Sequence, residues 1–181
     1  MELENRVTEL KILRGAWSNE QLSLERKVNT TYPSHIQQYQ RQIEQIRQDI
    51  TLLEQSKAGD FSIMLDGKQY TERPAAGDAF ALLYRTINEN HAKDDFEFEI
   101  GSYRGFRLCL NLHPLSRGII LRGTSRYSTD IGSSGQGTIT RIENLAERIP
   151  FYLVNTQRDL EEAEKQLEAA RQQMGQPFIY E

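Results

Sequence analysis

Leu3, Leu10, Trp17 and Leu24 recur at every seventh position, with Val7 and Val28 reinforcing the stripe. A sevenfold apolar repeat belongs to a helix that lays one seam against another helix. The signature returns twice. Ile36, Tyr39, Ile43, Ile46, Ile50 and Leu53 alternate steps of three and four, and Leu153, Leu160, Leu167 and Met174 are again spaced by seven, with Ala163 and Ala170 between them. Helices of this size reach about 30–40 Å. Alone, each would leave its seam wet, at about 1.5–3 kcal/mol per large apolar side chain. Packing all three together is the economical solution, with the first two as an antiparallel hairpin; a homodimer through the same seams remains the alternative. The break between the first two is expected at "NTTYPS", where Pro33 cannot continue a helix and Ser34 can cap the next. Gly59 marks the expected end of the second helix. The predicted organisation is a helical hairpin (coiled-coil stalk) over 1–58, a C-terminal stalk helix over 149–175 and a tail over 176–181.

Between these helices, residues 59–148 read differently. Phe61, Ile63 and Leu65 alternate, Asp66-Gly67 suits a two-residue hairpin turn, and "KQY" returns. Pro74 then opens a helix whose apolar face is Ala79, Phe80, Leu82, Leu83 and Ile87. Phe96, Phe98 and Ile100 alternate, as do Phe106, Leu108, Leu110 and Leu112; "GIILRG" and "RYSTDI" are further short strands. "GSSGQGT" reads as a flexible surface loop, and "TITRIENLAERI" as a short helix leading to the stalk. The expected fold class is α+β: a small antiparallel sheet with one or two helices, inserted between long coiled-coil helices.

Chemistry-bearing patterns are sparse. His35, His91 and His113 have no metal-ligand spacing. Cys109 is the one cysteine, which rules out an intramolecular disulfide; it falls opposite Leu108 and Leu110, with no histidine base identifiable. "GSSGQGT" lacks the Lys-Ser/Thr ending of a phosphate loop. Asp94-Asp95 and Glu161-Glu162 read as solvated charges. No catalytic residue, metal site or cofactor is expected. No apolar run has the length of a membrane span, and "MELENRVTEL" does not read as a signal peptide, so a cytoplasmic setting is expected.

The formal charge of −4 argues against indiscriminate nucleic-acid binding. One stretch runs against that balance. From Ile100 to Thr129 no acidic residue occurs, while Arg104, Arg107, Arg117, Arg122 and Arg126 all lie there, interleaved with Tyr103, Phe106 and Tyr127. On a sheet they would form a local basic surface for nucleic acid or an acidic protein partner, extended by Lys68 and Arg73. The competing expectation is a solvated outer face whose arginines pair with Glu97, Glu99 or acids on the helices.

"FSIMLDGKQYTERPAAGDAF", then "IGSYRGFRL", then "RIEN" and a closing heptad helix ending in "PF" resemble the C-terminal region of very large DNA methylase/helicase proteins of plasmids, phages and conjugative elements. The likeness runs from about Ile36 to the end and is carried by Gly67, Lys68, Tyr70, Arg73, Gly77, Gly101, Tyr103, Arg104, Gly105 and Phe106. It implies a non-catalytic accessory module in a bacterial host, since no methylase motif or nucleotide-binding loop is present. That setting supplies a second expectation, a stand-alone anti-defence protein of the anti-CRISPR type that binds a host nuclease. A dimerisation or scaffold module, using the seams alone, is a third.

Overall fold

The computed structural model describes residues 1–56, 59–91 and 97–179. The chain forms two compact units. The two ends, Met1–Gln42 and Asn155–Glu181, build one; the middle, Ile43–Val154, builds the other.

In the first unit the expected break is absent. Helix α1 (Glu2–Arg26) passes through a π-helical segment at Lys27–Thr31 directly into α2 (Tyr32–Gln55). Pro33 explains the detour. In an α-helix its ring would collide with the carbonyl of Asn29, and it has no N–H to give that oxygen. The preceding turns are wider instead: the Tyr32 N–H bonds to the Lys27 carbonyl five residues back, and Tyr32 keeps helical angles (φ −68°, ψ −42°). Ser34 therefore lies inside a helix, and no hairpin forms between the first two stripes.

The partner of α1 is α5 (Ile149–Gln173) together with the segment after it. Trp17 and Phe178 have ring centroids 5.9 Å apart. The Gln21 side chain donates to the Gln173 carbonyl and accepts the Gly175 N–H at 2.8 Å. Leu24 and Val28 bury with Leu167 and Ala170, and Tyr32 and Ile36 pack on them. As one chain rises the other falls, so the pair is antiparallel.

The second unit is α+β. Its antiparallel sheet has the order β2-β1-β3-β4-β5-β6, with β1 Ile63–Leu65, β2 Lys68–Tyr70, β3 Glu97–Tyr103, β4 Phe106–His113, β5 Ser116–Arg122 and β6 Arg126–Asp130. Asp66 (φ 49°) and Gly67 (φ 77°) make the two-residue turn between β1 and β2. Phe96, expected to open β3, lies outside the described residues, as do Asp94 and Asp95. Phe106, Leu108, Leu110 and Leu112 point to one side, opposite Ile119 and Leu121 in register, and are almost fully buried. Helices α3 (Arg73–Asn90) and α4 (Gly135–Glu147) cover that side with Ala76, Phe80, Ile139, Ile142 and Leu145, and Ile46, Ile50 and Leu53 of α2 join the same core. Leu82, expected on the apolar face of α3, is exposed. No helix is long and apolar enough to cross a membrane among the described residues.

The glycine-rich stretch at 132–138 is not a flexible loop. Ser134 caps α4 by accepting the Gly137 N–H at 3.0 Å, and the Thr138 hydroxyl accepts the Gly132 N–H at 3.0 Å. Gly135 and Gly77 let α4 and α3 cross backbone to backbone. A Cβ on Gly135 would fall on the Gly77 carbonyl, and one on Gly77 would come within 2.7 Å of the Gln136 nitrogen.

Candidate anion-binding surface

Three of the five arginines expected to form a basic surface do share one row of the sheet. Arg107, Arg122 and Arg126 stand opposite one another across β4, β5 and β6, on the side away from the helices. Like charges so placed repel, and β3 supplies the counter-charges. Arg122 Nε donates to Glu97 Oε2 at 3.0 Å and its second nitrogen grips the same oxygen; Arg126 Nε donates to Glu97 Oε1 at 3.0 Å. Arg107 lies 3.6 Å from Glu99. Burial pushes the Glu97 carboxyl up, but the bonds from Arg122 and Arg126 outweigh it and hold its pKa below the ordinary value. This row is an ion network with most of its charge spent. Beneath it Cys109 is buried, its thiol pushed up by desolvation and then by Glu97 and Glu99. That environment disfavours a reactive thiolate.

The other expected site residues are dispersed into structural roles. Arg104 (φ 49°) occupies the β3–β4 turn. Its guanidinium donates to the Leu53 carbonyl at 2.8 Å and to Ser56 Oγ at 3.2 Å. It thereby closes the end of α2, the task expected of Gly59. Tyr103 is 8% exposed and Tyr127 1%, so neither ring offers a face for stacking. The Tyr127 hydroxyl donates to Asp49 at 2.7 Å, and its pKa is driven far above the usual phenol range by burial and then by that bond. Asp49 also accepts the N–H groups of Thr124 (2.6 Å) and Ser125 (2.9 Å). Arg73 makes a paired contact to Glu143 on α4, at 3.0 and 2.8 Å, and lies 4.8 Å from the Phe61 ring centroid. The Lys68 ammonium sits 5.4 Å from the Tyr70 ring. Arg117 pairs in register with Leu112, on the helix side of the sheet. The expected patch is therefore divided between both sides of the sheet and its turns.

The expected seam residues are largely consumed as well. Ile43, Ile46, Leu53 and Leu167 are buried, while Ile36, Tyr39, Ile50, Leu153 and Leu160 are half-buried.

A different surface keeps its charge. Arg141 on α4 and Arg148, which caps its C-terminal end, are both exposed, spaced by two helical turns. Among the described residues neither side chain has an ion-pair or hydrogen-bond partner. Glu143 and Glu147 lie on the other flank of the helix, where both act on the Tyr103 hydroxyl. The arginines line a groove of about 450 Å³ with Thr140 and Asn144 of α4, Ser128 and Thr129 of β6, and Tyr152. Strand β6 is the last in the sheet, so one of its backbone edges has no strand beside it. Tyr152 stands edge-on to Tyr127, with centroids 5.2 Å apart. The Thr140 hydroxyl is spent on the Gln136 carbonyl, but two guanidinium groups with the Asn144 amide and the Thr129 hydroxyl, beside an aromatic ring, form a donor set that suits phosphate oxygens. Sequence reasoning passed over the pair because they sit in a mixed-charge helix; their seven-residue spacing was the available signal. No protein-family model, curated protein or solved structure matches this chain.

Proposed function

We propose that the protein is a non-catalytic interaction module of a bacterial mobile genetic element, which binds the nucleic-acid backbone within a nucleic-acid-processing complex. In this reading the long helices at the two ends of the chain act as a coiled-coil stalk, and the inserted α+β unit makes the contact through the groove between β6 and α4. One observation carries it: Arg107, Arg122 and Arg126 share Glu97 and Glu99, which spends most of that row's charge, whereas Arg141 and Arg148 line a groove with no acid among its lining residues. A protein with net charge −4 needs such a confined basic site to hold a polyanion.

Fluorescence anisotropy with labelled single-stranded and duplex oligonucleotides tests this. Binding is expected at about 50 mM salt and should weaken steeply towards about 200 mM. Arg141→Ala/Arg148→Ala should weaken binding and reduce the salt slope by about two units, one per lost phosphate contact. Arg107→Ala/Arg122→Ala should change it little. Equal affinity of the α4 double variant and the parent protein would sink the proposal.

A further inference from the structure

We infer that the first four turns of α1 form an antiparallel pair with the same segment of a second copy of this chain. Among the described residues of the first unit, α1 is covered from about Leu13 onward, where Phe178, Ile179, Leu167 and Ala170 meet it. Towards the N-terminus the same stripe is half-buried at Leu10 and exposed at Val7 and Leu3. Leu3 is 81% and Val7 49% exposed, and neither they nor Leu10 belong to an apolar cluster of the chain. The uncovered stretch thus prolongs an interface already built, in the same heptad phase. A helix with that phase is the occupant that fits.

Charge selects both the partner and the direction. In the heptad that places Leu3, Val7 and Leu10 on the seam, Glu4 and Lys11 occupy one flank and Arg6 the other. A parallel pair would set Arg6 against Lys11 of the second copy, like against like. An antiparallel pair that sets Val7 against Leu10 places Glu4 against Lys11, and by symmetry does so twice, while Arg14 meets Leu3 at each end of the overlap. It also opposes the two helix dipoles. A second copy is therefore complementary to this segment when the helices run in opposite directions. An overlap of about two heptads gives a reversible dimer rather than an obligate one, since it falls below the area of standard interfaces.

Sedimentation velocity across a concentration series, from low micromolar to near-millimolar, reads the outcome. A monomer is expected at the dilute end and a growing dimer fraction at the concentrated end. Val7→Lys/Leu10→Lys should be monomeric throughout with unchanged far-ultraviolet circular dichroism, because neither side chain belongs to the packed cores. Glu4→Lys should weaken the dimer by about tenfold, and Glu4→Lys/Lys11→Glu should restore it. A monomer at every concentration overturns the inference, as does a dimer that survives Val7→Lys/Leu10→Lys. Indifference to Glu4→Lys, or failure of the double exchange to restore affinity, overturns the antiparallel arrangement.

Discussion

Asp49 holds together residues that lie far from it in the chain. Its carboxylate receives two backbone N–H groups of the β5–β6 turn and the Tyr127 hydroxyl, and it is 1% exposed. Asp49→Ala leaves the buried Tyr127 hydroxyl and two part-buried backbone N–H groups without their acceptor, so a loss of about 1–3 kcal/mol in chemical denaturation is expected. Tyr127→Phe removes one bond and keeps the packing, at about 1–2 kcal/mol. Glu97 adds a pH dependence with a fixed sign. Its folded pKa lies below the ordinary 4.5, so its contribution is present above that value and is lost as pH falls through the folded pKa. Glu97→Gln should flatten that acid limb of the stability curve; an unchanged limb would show that Arg122 and Arg126 do not act through it. The contacts of Asp49 were not legible at the residue scale. In sequence Asp49 is one more polar residue between Gln48 and Ile50, and its partners are 75 to 78 positions away.

At the scale of elements, strands were easier to read than helix ends. Alternation at Phe106 to Leu112 and the Asp66-Gly67 turn is local information, because a strand's two-residue period and a left-handed turn are properties of adjacent residues. The reading failed where a backbone had a second way to satisfy itself. Pro33 usually ends a helix, yet a π-helical segment lets α1 continue into α2. Pro33→Ala removes the reason for that segment and is expected to raise the thermal midpoint, by about 1 kcal/mol or more of stability; a hairpin would respond in the opposite sense, through loss of a preset turn. Glycines at 132–137 look mobile in sequence, but Gly135 is held by the crossing of α4 over Gly77. Gly135→Ala should therefore destabilise by about 1–3 kcal/mol, as overpacking does, despite the higher helix propensity of alanine.

Across the whole molecule, net charge misleads about where charge is available. The acid-free run from Ile100 to Thr129 allowed either a basic sheet or arginines paired with Glu97 and Glu99, and strand pairing brings both acids beside Arg107, Arg122 and Arg126. The two arginines that stay uncommitted come from a helix containing as many acids. If the groove holds a polyanion, raising salt should weaken binding while leaving unfolding by denaturant nearly unchanged, since exposed ion pairs contribute little to stability. Parallel anisotropy and denaturation series measure both.

The sequence by itself determined the α+β class of the middle segment, the succession of its strands along the chain and the presence of long helices at both ends, because periodicity and turn chemistry act over a few neighbouring residues. Tertiary structure alone decided which arginines are spent and which are free, which seam residues are buried, and that Asp49 meets Tyr127. Those outcomes depend on contacts between residues distant in the chain, where desolvation and pairing, rather than residue type, set what a side chain can do.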